Sequence, residues 1–266
     1  MKSRNRRSVL VLLILALGLG LQGAAQDAAT DLEILEAMDD HRFLDPDTGY
    51  VRETMEIYAE RPDSIDKATV RLSIKSGNEE DFRLRIDFLE PEDTAGLAFL
   101  VLPDGTVLLC TPDLAMPLRI SSGTDVFGDS TVSTTAGIQF AEAYSIRERV
   151  DTTLHDVPAL QLELEAVALG TAYPSATVWV DPVSYQPLAA VLYALSGEPL
   201  NRITYESYTS VTFGDEEEGI EDRYVTVQII ENLIQEGYRT RLTITDISVA
   251  PLPEGLLDED VFCTTP

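Results

Sequence analysis

Only two cysteines (Cys110 and Cys263), two histidines (His41 and His155) and three lysines (Lys2, Lys67 and Lys75) occur in the 266 residues. Zinc sites draw on clustered Cys and His ligands, and four such residues scattered this far apart do not supply that spacing. His-x-x-x-His pairs, a Gly-x-Ser-x-Gly elbow and a phosphate-binding loop are all missing, which removes the commonest metallohydrolase, serine-hydrolase and nucleotide-hydrolase readings. Acidic residues are plentiful, but no carboxylate pair stands out from the rest. The sequence therefore nominates no catalytic residue, no metal and no cofactor. Long apolar runs are missing too. The longest, Val9 to Leu21, has 13 residues, whereas a membrane-spanning helix needs roughly 20.

That short run has the shape of an export signal. Lys2, Arg4, Arg6 and Arg7 precede it and the small residues Gly23-Ala24-Ala25 follow it, so residues 1–25 are read as a cleaved signal peptide and 26–266 as a single mature domain. Arg6-Arg7 permits a twin-arginine reading, but Ser8-Val9-Leu10 fits that motif poorly and Sec-type export is the better match. No cysteine lies near the cleavage point, so no lipid anchor is expected. The mature protein is expected to be soluble and to lie outside the cytoplasm. The formal charge of −27 becomes −31 once the four basic residues of the signal are removed. Such a surface repels nucleic acid and anionic membrane faces. It suits either a basic partner or a salty environment.

The remaining chain reads as strands after one helix. Thr30-Asp31-Leu32-Glu33 is a capping box, and Leu32, Leu35 and Met38 follow at helical spacing, predicting a helix over Asp31 to His41. The period then becomes two. Ala68, Val70, Leu72 and Ile74 alternate with polar residues, as do Phe82, Leu84, Ile86 and Phe88 across a Gly77-Asn78 turn. Further alternating runs occupy 50–59, 160–167, 176–181, 188–195, 202–208, 224–231 and 238–249. A dozen sequential strands with one early helix argue for an antiparallel sheet, since a parallel α/β fold needs a helix after each strand. The stretch from Phe88 to Pro112 is unusual. Leu97, Phe99 and Val101 alternate with Ala98, Leu100 and Leu102, so both faces of this strand are apolar and both need cover, by protein or by bound lipid.

Within that stretch Phe88, Pro91, Glu92, Asp93, Gly96, Ala98, Phe99, Leu100, Pro112, Arg119, Ile120 and Ser121 occur in an order that resembles the signature of the outer-membrane lipoprotein-sorting family, the LolA-like carriers. The resemblance continues through Tyr173 to Asp181 with its Val-Trp-Val-Asp end, Pro187-Leu188, Gly197, Arg202, and the closing Pro253-Glu254-Gly255 to Phe262. It departs at Leu108, Leu109 and Cys110, where the family often has aromatics, so ligand preference does not carry over.

The resemblance implies a mainly β fold: a strongly curved, half-open antiparallel β-barrel whose apolar concave side is covered by a few helices. On that expectation the inward positions Leu72, Ile74, Leu84, Ile86, Leu97, Phe99, Val101, Leu162, Leu164, Val178 and Val180 are candidate lipid-binding groove residues, with ordinary core packing as the alternative for each. Alternation identifies the face without separating a filled core from an open groove. The polar segment 123–137 contains Phe127-Gly128-Asp129-Ser130, which resembles the family's lid region. Val126, Phe127 and Val132 are candidate lid residues there, against a plain surface loop.

An oxidising compartment permits a Cys110–Cys263 disulfide; two separate buried thiols are the alternative. Asp215 to Glu218, with Glu221 and Asp222, reads as a solvated hairpin loop in preference to a calcium site. The expected function is a periplasmic carrier holding lipid or lipoprotein acyl chains for sorting to the outer membrane, with an envelope transporter or outer-membrane receptor as further partner. The alternative is a non-catalytic interaction or sensor module associated with an envelope transporter, and an enzyme ranks last.

Overall fold

The computed structural model describes residues 29–44, 49–75, 82–213, 220–249 and 251–264. Two units follow one another along the chain, Met1–Thr30 and Asp31–Pro266. Of the first only residues 29 and 30 are described, so the export-signal segment lies outside the described residues, as do the Gly77-Asn78 turn and the acidic run 215–218. All elements below belong to the second unit. Among the described residues no helix is long and apolar enough to cross a membrane.

Helix α1 (Asp31–Asp40) buries Ile34, Leu35 and Met38. Leu32, expected on that face, is exposed, because Ile34 takes the inward place beside Leu35. Strands β1 (Tyr50–Arg61), β2 (Ser64–Lys75), β3 (Arg83–Glu90), β4 (Ala98–Val101), β5 (Val107–Cys110) and β6 (Leu118–Ile120) follow. Next come a small hairpin, β7 (Asp125–Phe127) with β8 (Ser130–Thr131), and the short helices α2 (Val132–Ala136) and α3 (Phe140–Ala143). The chain ends with β9 (Tyr144–Leu154), β10 (Val157–Ala166), β11 (Ser175–Val180), β12 (Pro187–Tyr193), β13 (Pro199–Phe213), β14 (Ile220–Asn232) and β15 (Arg239–Ser248).

Thirteen strands form one sheet in the order β6-β5-β4-β3-β2-β1-β15-β14-β13-β12-β11-β10-β9, and every pairing is antiparallel. The first and last long strands, β1 and β15, therefore meet in the middle. The edge strands β6 and β9 do not pair with each other, so the ladder does not close into a barrel. Between them the chain builds the β7–β8 hairpin and α2 and α3, where closure of the ladder would have needed continuous strand. Register shifts at Thr54/Met55, Glu163/Leu164, Trp179/Val180 and Leu192/Tyr193 bend the strands.

Register assigns the two apolar faces of β4. Leu72 opposes Ile86, Ile86 opposes Phe99, and Phe99 opposes Leu109, placing these residues on one face. The opposite face of β4 and β5 carries Ala98, Leu100, Leu108 and Cys110, which cluster with Leu257 and Phe262 of the C-terminal segment. Cys110 and Cys263 form a disulfide with Cα atoms 5.5 Å apart. Arg85, on the same face, donates to the Leu256 carbonyl at 3.2 Å, and its guanidinium lies 5.3 Å from the centre of the Phe262 ring. Protein therefore covers one of the two greasy faces: residues 252–264 act as a strap across β4 and β5.

Candidate functional site

The other face is covered by the helices. Met38, Asp39 and Arg42 from the end of α1, and Thr134, Ile138 and Phe140 around α2 and α3, surround a small void together with Ile203, Tyr205 and Gln228 of the sheet. Under this cover most of the predicted groove residues are core. Leu72, Leu84, Ile86, Leu162, Val178 and Val180 are fully buried and Ile74, Phe99 and Leu164 nearly so, while Leu97 and Val101 are half-buried.

A larger cavity of about 490 Å³ lies beside this core. Its walls come from the β4–β5 turn (Val101 to Val107), from residues 132–143, and from the loop Ala168–Ala172 between β10 and β11. Strand β5 and the loop that follows β10 belong to opposite ends of the sheet order, yet they line one space. Ser122 Oγ, following β6, donates to the Gly170 carbonyl at 2.9 Å and ties the two ends together on one side. Of the eleven predicted groove residues, Val101 lines this cavity; of the lid candidates, Val132 does.

Beneath α2 sits a buried polar cluster. Arg42 follows α1 directly and is 5% exposed, while Glu53 of β1 is fully buried. Arg42 Nη1 lies 3.4 Å from Glu53 Oε1 and also donates to the Tyr224 hydroxyl, which in turn donates to Glu53. Arg42 Nη2 donates to the Ala136 carbonyl of α2 at 3.2 Å. Burial opposes the charge on Arg42, but Tyr224 and Glu53 outweigh it and hold the guanidinium protonated. Burial also pushes the Tyr224 phenol well above its ordinary value, so it stays a donor. Asp39 accepts the backbone N–H groups of Phe140 and Ala141 at 2.8 and 2.9 Å, joining α1 to the start of α3. Burial pushes its carboxyl up to about 8, against the pull of those two bonds.

Sequence reading missed Arg42, Glu53 and Asp39. A signal existed for Glu53: in β1 it has the inward phase of Val51, Met55, Ile57 and Ala59. A carboxylate in that phase needs a buried partner.

The candidate lid segment is a hairpin followed by a helix rather than a plain loop. Val126 and Phe127 are half-buried and Val132 is buried. Helix α2 (Val-Ser-Thr-Thr-Ala) has poor intrinsic propensity; a capping box supports it, with Thr131 Oγ1 accepting from the Thr134 N–H and the Thr131 N–H donating to Thr134 Oγ1. The hairpin tip docks across the sheet. Asp129 N–H donates to Thr240 Oγ1 at 2.7 Å, and Asn232 Nδ2 donates to Asp129 Oδ1 at 2.8 Å. Gly128 makes the approach possible: its φ is +62°, and a Cβ there would stand 2.5 Å from Thr240 Oγ1 and 2.7 Å from Ala59 Cβ. Gly128→Ala is expected to cost on the order of 1–3 kcal/mol, combining a left-handed backbone with a clash. Chemical denaturation measures the loss, and hydrogen exchange should show the Asp129 amide deprotected. Unchanged stability and protection would mean that the tip is not docked.

A family model described as "-like: Uncharacterized protein" matches residues 81–262, more than half of the chain. The chain belongs to this family. No curated protein matches it significantly. Among solved structures it is similar to a LolA superfamily protein of Nitrosomonas europaea, with 21% identity over 88% of this chain and 99% of the other and a TM-score of 0.73. An outer membrane lipoprotein-sorting protein domain of Vibrio parahaemolyticus gives 20% identity over 88% and 98% of the two chains with a TM-score of 0.70. A DUF1329 family protein of Desulfovibrio piger gives 14% over 87% and 97%, with a TM-score of 0.68. At these identities the likeness establishes the fold, which is LolA-like.

Within this LolA-like fold the described side chains present an apolar cavity, a docked hairpin and a buried ion pair. No three His, Cys, Asp or Glu among the described residues converge to hold a metal ion. The arrangement suits it to sequestering an apolar group under a cover that is fastened at discrete polar points.

Proposed function

We propose that the protein is exported, loses residues 1–25 and serves in the periplasm as a carrier that holds acyl chains of lipids or lipoproteins beneath its helical cover, in a sheet curved into a half-open barrel. The observation that carries this reading is the 490 Å³ cavity, whose apolar walls come from both ends of the sheet and from the lid segment together. Its size falls in the range of ordinary small-molecule sites, about 300–1,000 Å³. Each methylene transferred from water into it contributes about 0.8 kcal/mol, so one chain is held reversibly with no catalytic group. The LolA-like fold and the sorting role named for the Vibrio domain support the same reading.

The test is native mass spectrometry of protein exported from the full chain. Bound lipid is expected on the wild type, and a molecular mass corresponding to removal of residues 1–25. Val101→Asp, which places a charge in the cavity wall, is expected to strip the lipid while circular dichroism stays that of a folded β protein. Equal lipid on a folded variant, or none on either protein, would overturn the carrier reading.

A further inference from the structure

An antiparallel meander returns every second connection to the same end of the sheet. Across the adjacent strands β2-β1-β15-β14-β13-β12-β11-β10, four connections therefore stand side by side. The pairs Arg61↔Ser64, Glu231↔Arg239, Tyr193↔Pro199 and Glu165↔Ser175 close these hairpins. Glu60↔Arg239, Asn201↔Asn232 and Ser175↔Tyr193 align each hairpin with the next at that same end. Every one of the four presents a large aliphatic side chain to solvent: Ile65 (69% exposed), Ile234 (59%), Leu195 (90%) and Leu169 (97%). At the opposite end of these strands the described connections carry Val183 and, at the start of β10, Val157.

Hydrogen bonds hold the tips in place. Asn232 Oδ1 accepts the N–H groups of Ile234 and Gln235, each at 2.9 Å, Thr171 Oγ1 donates to the Ala168 carbonyl at 2.8 Å, and the Gly197 N–H donates to the Ala194 carbonyl at 2.9 Å. Neighbouring turns also touch. The Leu233 N–H donates to the Leu200 carbonyl at 2.9 Å, and a Cβ on Gly237 would stand 3.2 Å from Pro62 Cγ.

Spacing and charge narrow what this rim can meet. Strands lie about 4.8 Å apart, so tips two strands apart are separated by roughly 10 Å, with polar turn residues between them. They form no continuous patch for a packed protein interface, which needs complementary shape over its whole area. A fluid lipid interface yields to each tip separately. The arginines at this end are paired, Arg61 with Asp66, Arg239 with Glu60 and Arg202 with Glu231, while Asp63, Glu198 and Glu236 are exposed beside them. Acids thus outnumber bases, and an anionic lipid surface is repelled.

We propose that these four turns form a membrane-docking rim, on which Ile65, Ile234, Leu195 and Leu169 enter the interfacial zone of a zwitterionic bilayer to a depth of about 5–10 Å. Docking needs no cargo and so goes beyond the carrier reading. It also brings the Ala168–Ala172 wall of the cavity to the lipid surface.

The test is co-sedimentation of protein exported from the full chain and freed of lipid with phosphatidylcholine vesicles. Wild type is expected to bind, and Leu169→Ser and Leu195→Ser are each expected to weaken binding by about tenfold, the scale of withdrawing one aliphatic side chain from an apolar phase. Ile65→Ser, Ile234→Ser, Leu169→Ser and Leu195→Ser combined should abolish it, with circular dichroism unaltered because all four side chains are exposed. Val183→Ser is expected to bind as wild type does. Phosphatidylglycerol in the vesicles should weaken binding at low salt, with recovery as salt is raised. No binding by wild type, equal binding by the fourfold variant, or an equal loss in Val183→Ser overturns the rim; tighter binding to anionic vesicles overturns the zwitterionic preference. Val101→Asp, which changes the cavity and leaves the rim untouched, is expected to bind vesicles normally, so failure of the carrier test and failure of this one are separate results.

Discussion

Arg42→Leu and Glu53→Leu are each expected to destabilise the fold by about 3–5 kcal/mol, while the double variant should recover most of that loss. Each single change strands the opposite charge in a place where water does not reach, since Arg42 is 5% and Glu53 0% exposed. Removing both leaves an apolar pair on the buried face of β1 that also carries Met55 and Ile57. The pair is not ideally satisfied even in the wild type: among the described residues Arg42 Nε and Glu53 Oε2 find no hydrogen-bond partner. Such a cluster is a weak source of net stability, and its worth lies in position. Arg42 holds the Ala136 carbonyl at the end of α2, so the double variant should be stable yet have a more weakly fastened cover. Guanidinium denaturation of the four proteins in the cycle gives the coupling energy. Additive losses, or single variants within about 1 kcal/mol of wild type, would show that the two charges do not depend on each other.

Removing the Cys110–Cys263 bond is the second large change. The two residues are 153 positions apart, and the chain-entropy estimate for a loop of that size is about 5 kcal/mol. Cys110→Ser with Cys263→Ser is therefore expected to lose 2–5 kcal/mol, and reduction of the wild-type protein should give a matching drop. The strap would still be drawn to β4 and β5 by Leu257 and Phe262, both buried against Leu100 and Leu108. Released strap should expose that cluster, which binding of a hydrophobic dye would report. A melting temperature that is unaltered by reduction would show that strap and sheet hold without the bond.

Much of this fold was legible from alternation, and the exceptions have physical causes. The hairpin of β2 and β3 reads clearly because one face is apolar and the other charged. β9 was invisible: Arg147, Glu148, Arg149, Val150 and Asp151 are all exposed at the edge of the sheet, so no apolar rhythm marks them. Helix α2 was equally silent, since Val-Ser-Thr-Thr-Ala favours strand and only the Thr131 cap and tertiary packing impose the turn. The face of each candidate groove residue could be derived from period two. Which of them reach a cavity depended on where α2, α3 and the Ala168–Ala172 loop come down, and those segments carry no periodic signal. The paired apolar faces of β4 posed a choice between protein and lipid as cover. On one face the answer lay in the last dozen residues, too distant in sequence for local pattern to connect.

The meeting of β1 and β15 at the centre of the sheet has a kinetic consequence. Strands β1 to β6 zip up through neighbouring hairpins, and β9 to β14 do likewise, but the two halves have no ladder between them until the final strand arrives. The joining contacts bring residues 52–60 against residues 239–248, among the most distant pairings the chain offers. Such closure is slow, because the entropy of the intervening loop is lost before the contacts form. Until it happens, each half-sheet presents a long unpaired flank, and that interval is when this protein is most exposed to self-association.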